Sequence, residues 1–270
     1  MQLIYLDIGN SSIKAAIKND LSWERIFECG SGEYRQLEHW LISLENESEL
    51  IMSSVLPGMT NQIFSSYDRD KVTLITHNHI PSYLLDYETP KTLGIDRFLA
   101  CYGAVSSTDY PVVVIDAGTA CTIDYMTADY IYRGGVIMPG LSSIAMSVQH
   151  FLPMLPVVDD WIPKEWPGNS TDTCLQWGTI GFFMEGIHGF LKKFQKKFGN
   201  YHLFLTGGDG FFINRYIDEN IAAGCGMTFC SKVLMNFTEI ISKEVVPGSA
   251  YPESVQSPYR EQFHFPLRAV

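Results

Sequence analysis

One short phrase occurs twice in this chain. Asp7-Ile8-Gly9-Asn10-Ser11-Ser12-Ile13-Lys14 follows the apolar run Leu3-Ile4-Tyr5-Leu6, and Asp116-Ala117-Gly118-Thr119-Ala120-Cys121-Thr122-Ile123-Asp124 follows Val112-Val113-Val114-Ile115, 109 residues later. An Asp ending a buried strand places a carboxylate at the mouth of a sheet. The Gly two positions on lets backbone amides approach a ligand closely. Asn10, Ser11 and Thr119 add short side-chain donors, and the alternation at Ile13, Ala15, Ile17 and at Ile123, Tyr125 gives each copy an outgoing strand. Either phrase alone reads as an ordinary hairpin. The matched pair, at a domain-sized offset, reads as a repeated strand-turn-strand unit, with two phosphate-binding turns serving one nucleotide.

Length and charge narrow the setting. With 270 residues, 46% of them hydrophobic, the chain can bury a substantial core, and the repeat favours two domains. A net charge of −11 and a pI near 5.0 argue against nucleic acid or an anionic membrane as partner. The densest basic stretch, Lys192-Lys193 with Lys196-Lys197, reads as a solvated helix face. An acidic protein that binds an anionic nucleotide must supply positive potential locally, through backbone amides, metal ions and a few cations such as Lys14 and Arg97. The six cysteines form no Cys-x-x-Cys pair, nothing N-terminal resembles a signal peptide, and no apolar run approaches the roughly 20 residues that span a bilayer. A soluble protein of the reducing cytoplasm is the expectation. His77-Asn78-His79 lacks neighbouring carboxylate or cysteine ligands and reads as a surface loop.

The first hundred residues alternate strand and helix signals. Strands are expected at Met1–Leu6, Ser12–Ile17, Trp23–Glu28, Glu49–Val55 and Val72–Ile75, with helices at Tyr34–Leu44, Met59–Tyr67 and Asp96–Ala104. From Pro111 the same program restarts, with strands at Val112–Ile115, Cys121–Met126 and Tyr130–Ile137. Helices at Leu141–Phe151 and Cys174–Gly186 follow.

Five ordered phrases carry a resemblance: Asp7-Ile8-Gly9-Asn10-Ser11, Gly94-Ile95-Asp96-Arg97, Asp116-Ala117-Gly118-Thr119-Ala120 with Thr122 and Asp124, Gly134-Gly135-Val136-Ile137-Met138-Pro139-Gly140, and Thr206-Gly207-Gly208-Asp209. The chain resembles the type III pantothenate kinases, within the superfamily of actin, sugar kinases and heat-shock chaperones, over residues 1 to about 210. The resemblance implies an α/β fold of two actin-like (ribonuclease H-like) domains with an ATP cleft between them. The domains would be 1–110 and 111–245, followed by an irregular tail at 246–270. It also implies ATP-dependent phosphorylation of pantothenate at its primary hydroxyl, the first step of coenzyme A biosynthesis.

Residue roles follow from the same resemblance. Asp7, Ile8, Gly9, Asn10, Ser11, Ser12, Ile13 and Lys14 match the first phosphate loop, with Asp7 near Mg2+ and the transferred phosphate. Asp96 matches the catalytic base. A positioned carboxylate makes an alcohol a competent nucleophile, usually for about 10²–10⁴ in rate. Gly94, Ile95, Asp96 and Arg97 would line the pantothenate pocket, Arg97 offering a planar fork to a carboxylate or a phosphate, and Tyr87 would touch substrate. Asp116 matches the holder of a monovalent cation, K+ or NH4+, and Thr119 an ATP contact. Thr171 matches a threonine that reaches pantothenate across a homodimer interface, although it also reads as a plain helix N-cap, a role Ser170 could fill. Gly134-Gly135 and Pro139-Gly140 would shape the loop before the helix at Leu141, and Asp124 reads as either a cleft or a surface carboxylate. Ser11 and Gly210 stand where the family usually has threonine and alanine, and residues 221–243 do not align. A kinase of the same superfamily acting on another small alcohol, and a non-catalytic accessory protein keeping the fold, are the alternatives.

Overall fold

The computed structural model describes residues 2–19, 23–44, 48–157, 163, 165–214 and 227–229. The tail expected at 246–270, and 221–243 apart from 227–229, lie outside the described residues. The chain divides into two compact units. One runs to Asp109 and includes Ala128–Tyr132; the other holds Tyr110–Thr127 and continues from Arg133.

In the first unit β1 (Gln2–Ile8), β2 (Ser12–Lys18) and β3 (Trp23–Gly30) form an antiparallel meander. Helix α1 (Tyr34–Ser43) then carries the chain over the sheet, so that β4 (Ser48–Ser54) pairs parallel with β1 along its whole length. Helix α2 (Pro57–Ser66) has proline in its first turn, where the missing N–H costs nothing, and leads to β5 (Val72–Leu74), parallel to β4. The strand order is β3-β2-β1-β4-β5. Ile4, Leu6 and Ile8 of β1 pack with Ile13, Ala15, Leu50 and Met52 of the neighbouring strands and with Leu37, Leu41 and Ile63 of the helices. Period-two alternation therefore sends Tyr5 and Asp7 to the opposite face. Helix α3 (Ile95–Val105) is buried along nearly its whole length.

The second unit repeats the plan. β6 (Val112–Ala117), β7 (Ala120–Met126) and β8 (Tyr132–Pro139) form the meander, α4 (Leu141–Phe151), α5 (Thr171–Gln176) and α6 (Phe182–Phe198) follow, and β9 (His202–Thr206) returns parallel to β6. A five-residue α7 (Gly210–Asn214) and β10 (Met227–Phe229) complete the order β10-β9-β6-β7-β8, which matches the first sheet strand for strand. The core lies between the sheet face of Val113, Ile115, Ile123 and Leu203 and the α6 stripe of Phe183, Ile187 and Leu191.

Several expectations shift here. The helix expected at Cys174–Gly186 belongs to a longer helical run, α5 passing through a π turn at Trp177–Gly181 into α6. Gly134 and Gly135, which fall within the strand expected at Tyr130–Ile137, lie inside β8 rather than in the loop before Leu141 that they were also expected to shape. His77–His79 is a 3-10 turn in which the His79 ring is engaged locally by Thr76, 3.1 Å away.

Candidate active site

Asp7, near the end of β1, lies in register with Lys14 on β2 and Ser53 on β4, and Lys14 with Glu28 on β3. A polar row therefore crosses the sheet on the face away from the aliphatic core. The Ser53 hydroxyl donates to Asp7 Oδ1 at 2.7 Å, and Lys14 Nζ stands 4.0 Å from Glu28 Oε1. Burial pushes the Asp7 carboxyl above its usual range. The Ser53 hydrogen bond opposes this, the Asp96 carboxylate pushes it up again, and the Lys14 ammonium pulls it down.

The turn after Asp7 is held in place from two sides. Gly9 N–H donates to Ser12 O at 3.0 Å, and from the end of β3 the Ser31 hydroxyl and N–H donate to Asn10 O and Ser11 O at 2.6 and 3.1 Å. Asn10 and Ser11 themselves are exposed on the turn.

Gly94 precedes α3 as its N-cap, and Asp96 sits in the helix's first turn, where the dipole favours a negative charge. Its Oδ1 accepts from Arg97 N–H at 2.9 Å, and a Cβ on Gly94 would stand 2.5 Å from that oxygen. The glycine thus leaves room for the carboxylate. Arg97 is buried. Tyr87 lies partly buried on the loop before α3, its ring 5.8 Å from that of Tyr132.

In the second unit Asp116 is in register with Thr122 and Thr206, and Thr119 stands exposed on the turn. The Thr119 carbonyl accepts from Gly140 N–H at 2.8 Å and from the Ser143 hydroxyl at 2.7 Å, which fixes the turn against the start of α4. A Cβ on Gly140 would stand 1.9 Å from Gly118 O. Gly207, at φ +87°, also packs closely, a Cβ there standing 2.4 Å from Ala117 O, and Asp209 N–H donates to Ala117 O at 3.0 Å. Burial raises the Asp209 carboxyl. Burial, then Asp116, Asp209 and Asp124, push the Cys121 thiol up to about 12, so it stays protonated and unreactive. Asp124 is not the surface carboxylate of one reading: it is 1% exposed, and a Cβ on Gly135 would stand 2.7 Å from its Oδ1. Among the described residues no group of three or more His, Cys, Asp or Glu side chains is arranged to hold a metal ion.

Thr171 opens α5 and is exposed, while Ser170 is the N-cap, accepting from Thr173 N–H at 3.2 Å. The Thr171 hydroxyl is thereby spared the capping role. The preceding loop is tied down by Trp177, whose indole N–H donates to Glu165 O, and by Asn169, which donates to Glu165 Oε2 at 2.7 Å. Sequence reasoning missed Ser53, Ser31 and Trp177. None of the three left a local signal: Ser53 sits inside the strand expected at Glu49–Val55 like any of its neighbours.

The family described as type III pantothenate kinase matches residues 3–193. A type III pantothenate kinase of Flavobacterium johnsoniae is 32% identical over 226 residues, covering 82% of this chain and 91% of that one. One from Phocaeicola vulgatus is 34% identical over 227 residues, covering 83% and 92%. Among solved structures, a proposed Baf family transcriptional activator from Campylobacter jejuni has a TM-score of 0.59 at 24% identity, covering 90% of this chain and 98% of its own. A proposed N-acetylmannosamine kinase from Listeria monocytogenes has a TM-score of 0.52 at 10% identity, covering 90% and 100%. These two structural likenesses concern the fold alone.

Proposed function

The chain belongs to the type III pantothenate kinase family, and we propose that it phosphorylates the primary hydroxyl of pantothenate from ATP, with Asp96 as the base that accepts the hydroxyl proton. The observation that carries this reading is the pair of carboxylates in the first unit. Burial, with the nearby Asp96 carboxylate adding to it, raises the Asp7 carboxyl, and a buried acid with a second acid beside it is an arrangement that the stability of a strand end does not call for.

Phosphoryl transfer asks for alignment and charge neutralisation more than for covalent chemistry. Asp96 at the start of α3 takes the proton from the attacking oxygen, beside Gly94, Ile95 and Arg97 on the same turn. The pinned turn Gly9–Ser12 offers amides and hydroxyls to phosphate oxygens, and Lys14 adds a positive charge two strands from Ser53. Mg2+, when bound, neutralises charge on the phosphates. Asp7 fits it, because this ion takes one or two carboxylates and completes its shell with water and phosphate oxygens rather than with an all-protein cage. In the second unit Asp116 offers a hard oxygen suited to K+ or NH4+, and exposed Thr119 a hydroxyl to ATP.

A homodimer is part of the proposal. Of the eleven residues of α4 only Leu141 is buried, and its last residue Phe151, with Leu152 and Met154 beyond it, is exposed, Met154 to 94%. Apolar surface of this extent supports pairing with a second copy, to whose pantothenate Thr171 would reach. No helix among the described residues is long and apolar enough to cross a membrane, and a cytoplasmic site of action completes the reading.

The test is ADP release measured with pantothenate and with a panel of other small alcohols. Turnover that requires pantothenate is the expected result. Preferred turnover of another alcohol, or ADP release indifferent to acceptor, would overturn the assignment.

A further inference from the structure

We infer that Ser53 is a positioning residue that sets the Asp7 carboxylate for the metal-bound nucleotide, an inference resting on the reading of Asp7 given above. Ser53 is 2% exposed, a polar side chain spent in the interior of a small sheet. Its hydroxyl engages one oxygen of Asp7, Oδ1 at 2.7 Å, which restrains the carboxylate's orientation, so that Oδ2 would be the oxygen offered to a bound cation.

The two side chains ride on the most continuous strand pair of the first unit. β1 and β4 are matched from Gln2↔Ser48 to Ile8↔Ser54, and Val55 N–H extends the ladder to Ile8 O at 3.0 Å. Adjacent serines divide two tasks. Ser54 points the other way along the pleat and accepts from Leu56 N–H at 3.1 Å, shaping the entry to α2, whereas Ser53 serves Asp7. The second unit repeats the placement: Thr206, 6% exposed, stands on β9 in register with Asp116 on β6, as Ser53 on β4 stands to Asp7 on β1. A hydroxyl residue beside the strand-end aspartate is thus a property of both halves.

The experiment is calorimetric titration of four full-length proteins (wild type, Ser53→Ala, Asp7→Asn and the double variant) with a non-hydrolysable ATP analogue, in Mg2+ and again in EDTA. Ser53→Ala should weaken the Mg2+-nucleotide by about threefold to tenfold, the scale of one lost hydrogen bond, and leave metal-free binding unchanged. In the Asp7→Asn background the same substitution should have no further effect. Equal weakening with and without Mg2+, or an undiminished effect in that background, would reduce Ser53 to a structural part and overturn the inference. If Asp7→Asn weakens Mg2+-nucleotide binding and Ser53→Ala does not, Ser53 alone loses its role. If Asp7→Asn changes nothing, the reading of Asp7 falls and takes the inference with it.

Discussion

The carboxylate of Asp96, in the first turn of α3, raises the proton affinity of Asp7 at the end of β1. Two acids held close in a partly buried setting cost folding energy that a neutral pair would not. Burial is the larger cause, and with Asp96 it lifts the folded-state value of Asp7 above 3.8. The folded protein therefore binds this proton more tightly than the unfolded chain. The cost is present in full above the raised value and is relieved as pH falls through it. Asp7→Asn should accordingly stabilise the protein at pH 8 by roughly 0.5–2 kcal/mol, with a gain that shrinks on acidification, while turnover collapses. Thermal melts at several pH values read the effect, and a melting temperature lowered at pH 8 contradicts it.

Asp96→Asn should fold as the wild type does and lose about 10²–10⁴ in kcat, the usual worth of a positioned base. The KM for ATP should change little, because the proton acceptor does not hold the nucleotide. Coupled ADP assays decide it, since a kcat within a few-fold of wild type removes Asp96 from the role of base.

Gly140→Ala forces a methyl to within 1.9 Å of Gly118 O, where backbone rather than a flexible side chain must yield. A cost of about 1–3 kcal/mol is expected, together with a raised KM for ATP as the Gly118–Thr119 turn shifts. Gly189→Ala is the control. It lies within α6 with nothing within 4 Å of the added carbon, and should stabilise by about 0.4–1 kcal/mol. Urea melts of both variants test the contrast, which fails if the two behave alike.

How far these sites were legible in the sequence depended on sequence distance. The paired Asp-x-Gly phrases located both meanders, with strand ends within a residue or two, because alternation and turn chemistry are local signals. Ser53 was invisible as a partner of Asp7, since their separation of 46 positions closes only when β4 pairs parallel with β1. The strand at His202–Thr206 was likewise seen only as the phrase around Gly207. Asp124 stayed ambiguous because period-two reasoning assumes one wet face, whereas β7 is buried on both from Ile123 to Met126. The helix through Cys174 was placed but ended too early, its π turn at Trp177–Gly181 having no period of its own to read.

Asp116 carries a solution-level expectation. Turnover should rise severalfold when K+ or NH4+ replaces Na+ at constant ionic strength, and Asp116→Asn should abolish that difference. Equal rates in Na+ alone would remove the cation from the site.

If the proposed homodimer forms through this surface, Met154→Glu should yield monomers in sedimentation, because a carboxylate in place of this 94% exposed methionine would be buried there without a partner. The monomer should show a raised KM for pantothenate with little change in the KM for ATP, as expected if Thr171 serves the partner's acceptor. An unaltered mass would exclude this surface from the interface.

The tip of the β7–β8 hairpin belongs to the first unit although its strands belong to the second. Tyr132 is fully buried, its ring 6.0 Å from Phe98 and 5.8 Å from Tyr87, and its carbonyl accepts from Asp86 N–H at 3.0 Å. The consequence is one of timing during synthesis. The N-terminal half cannot finish its aromatic interior when residue 109 leaves the ribosome; it must wait for the hairpin apex, and a fragment cut at the apparent boundary would be born with a hole.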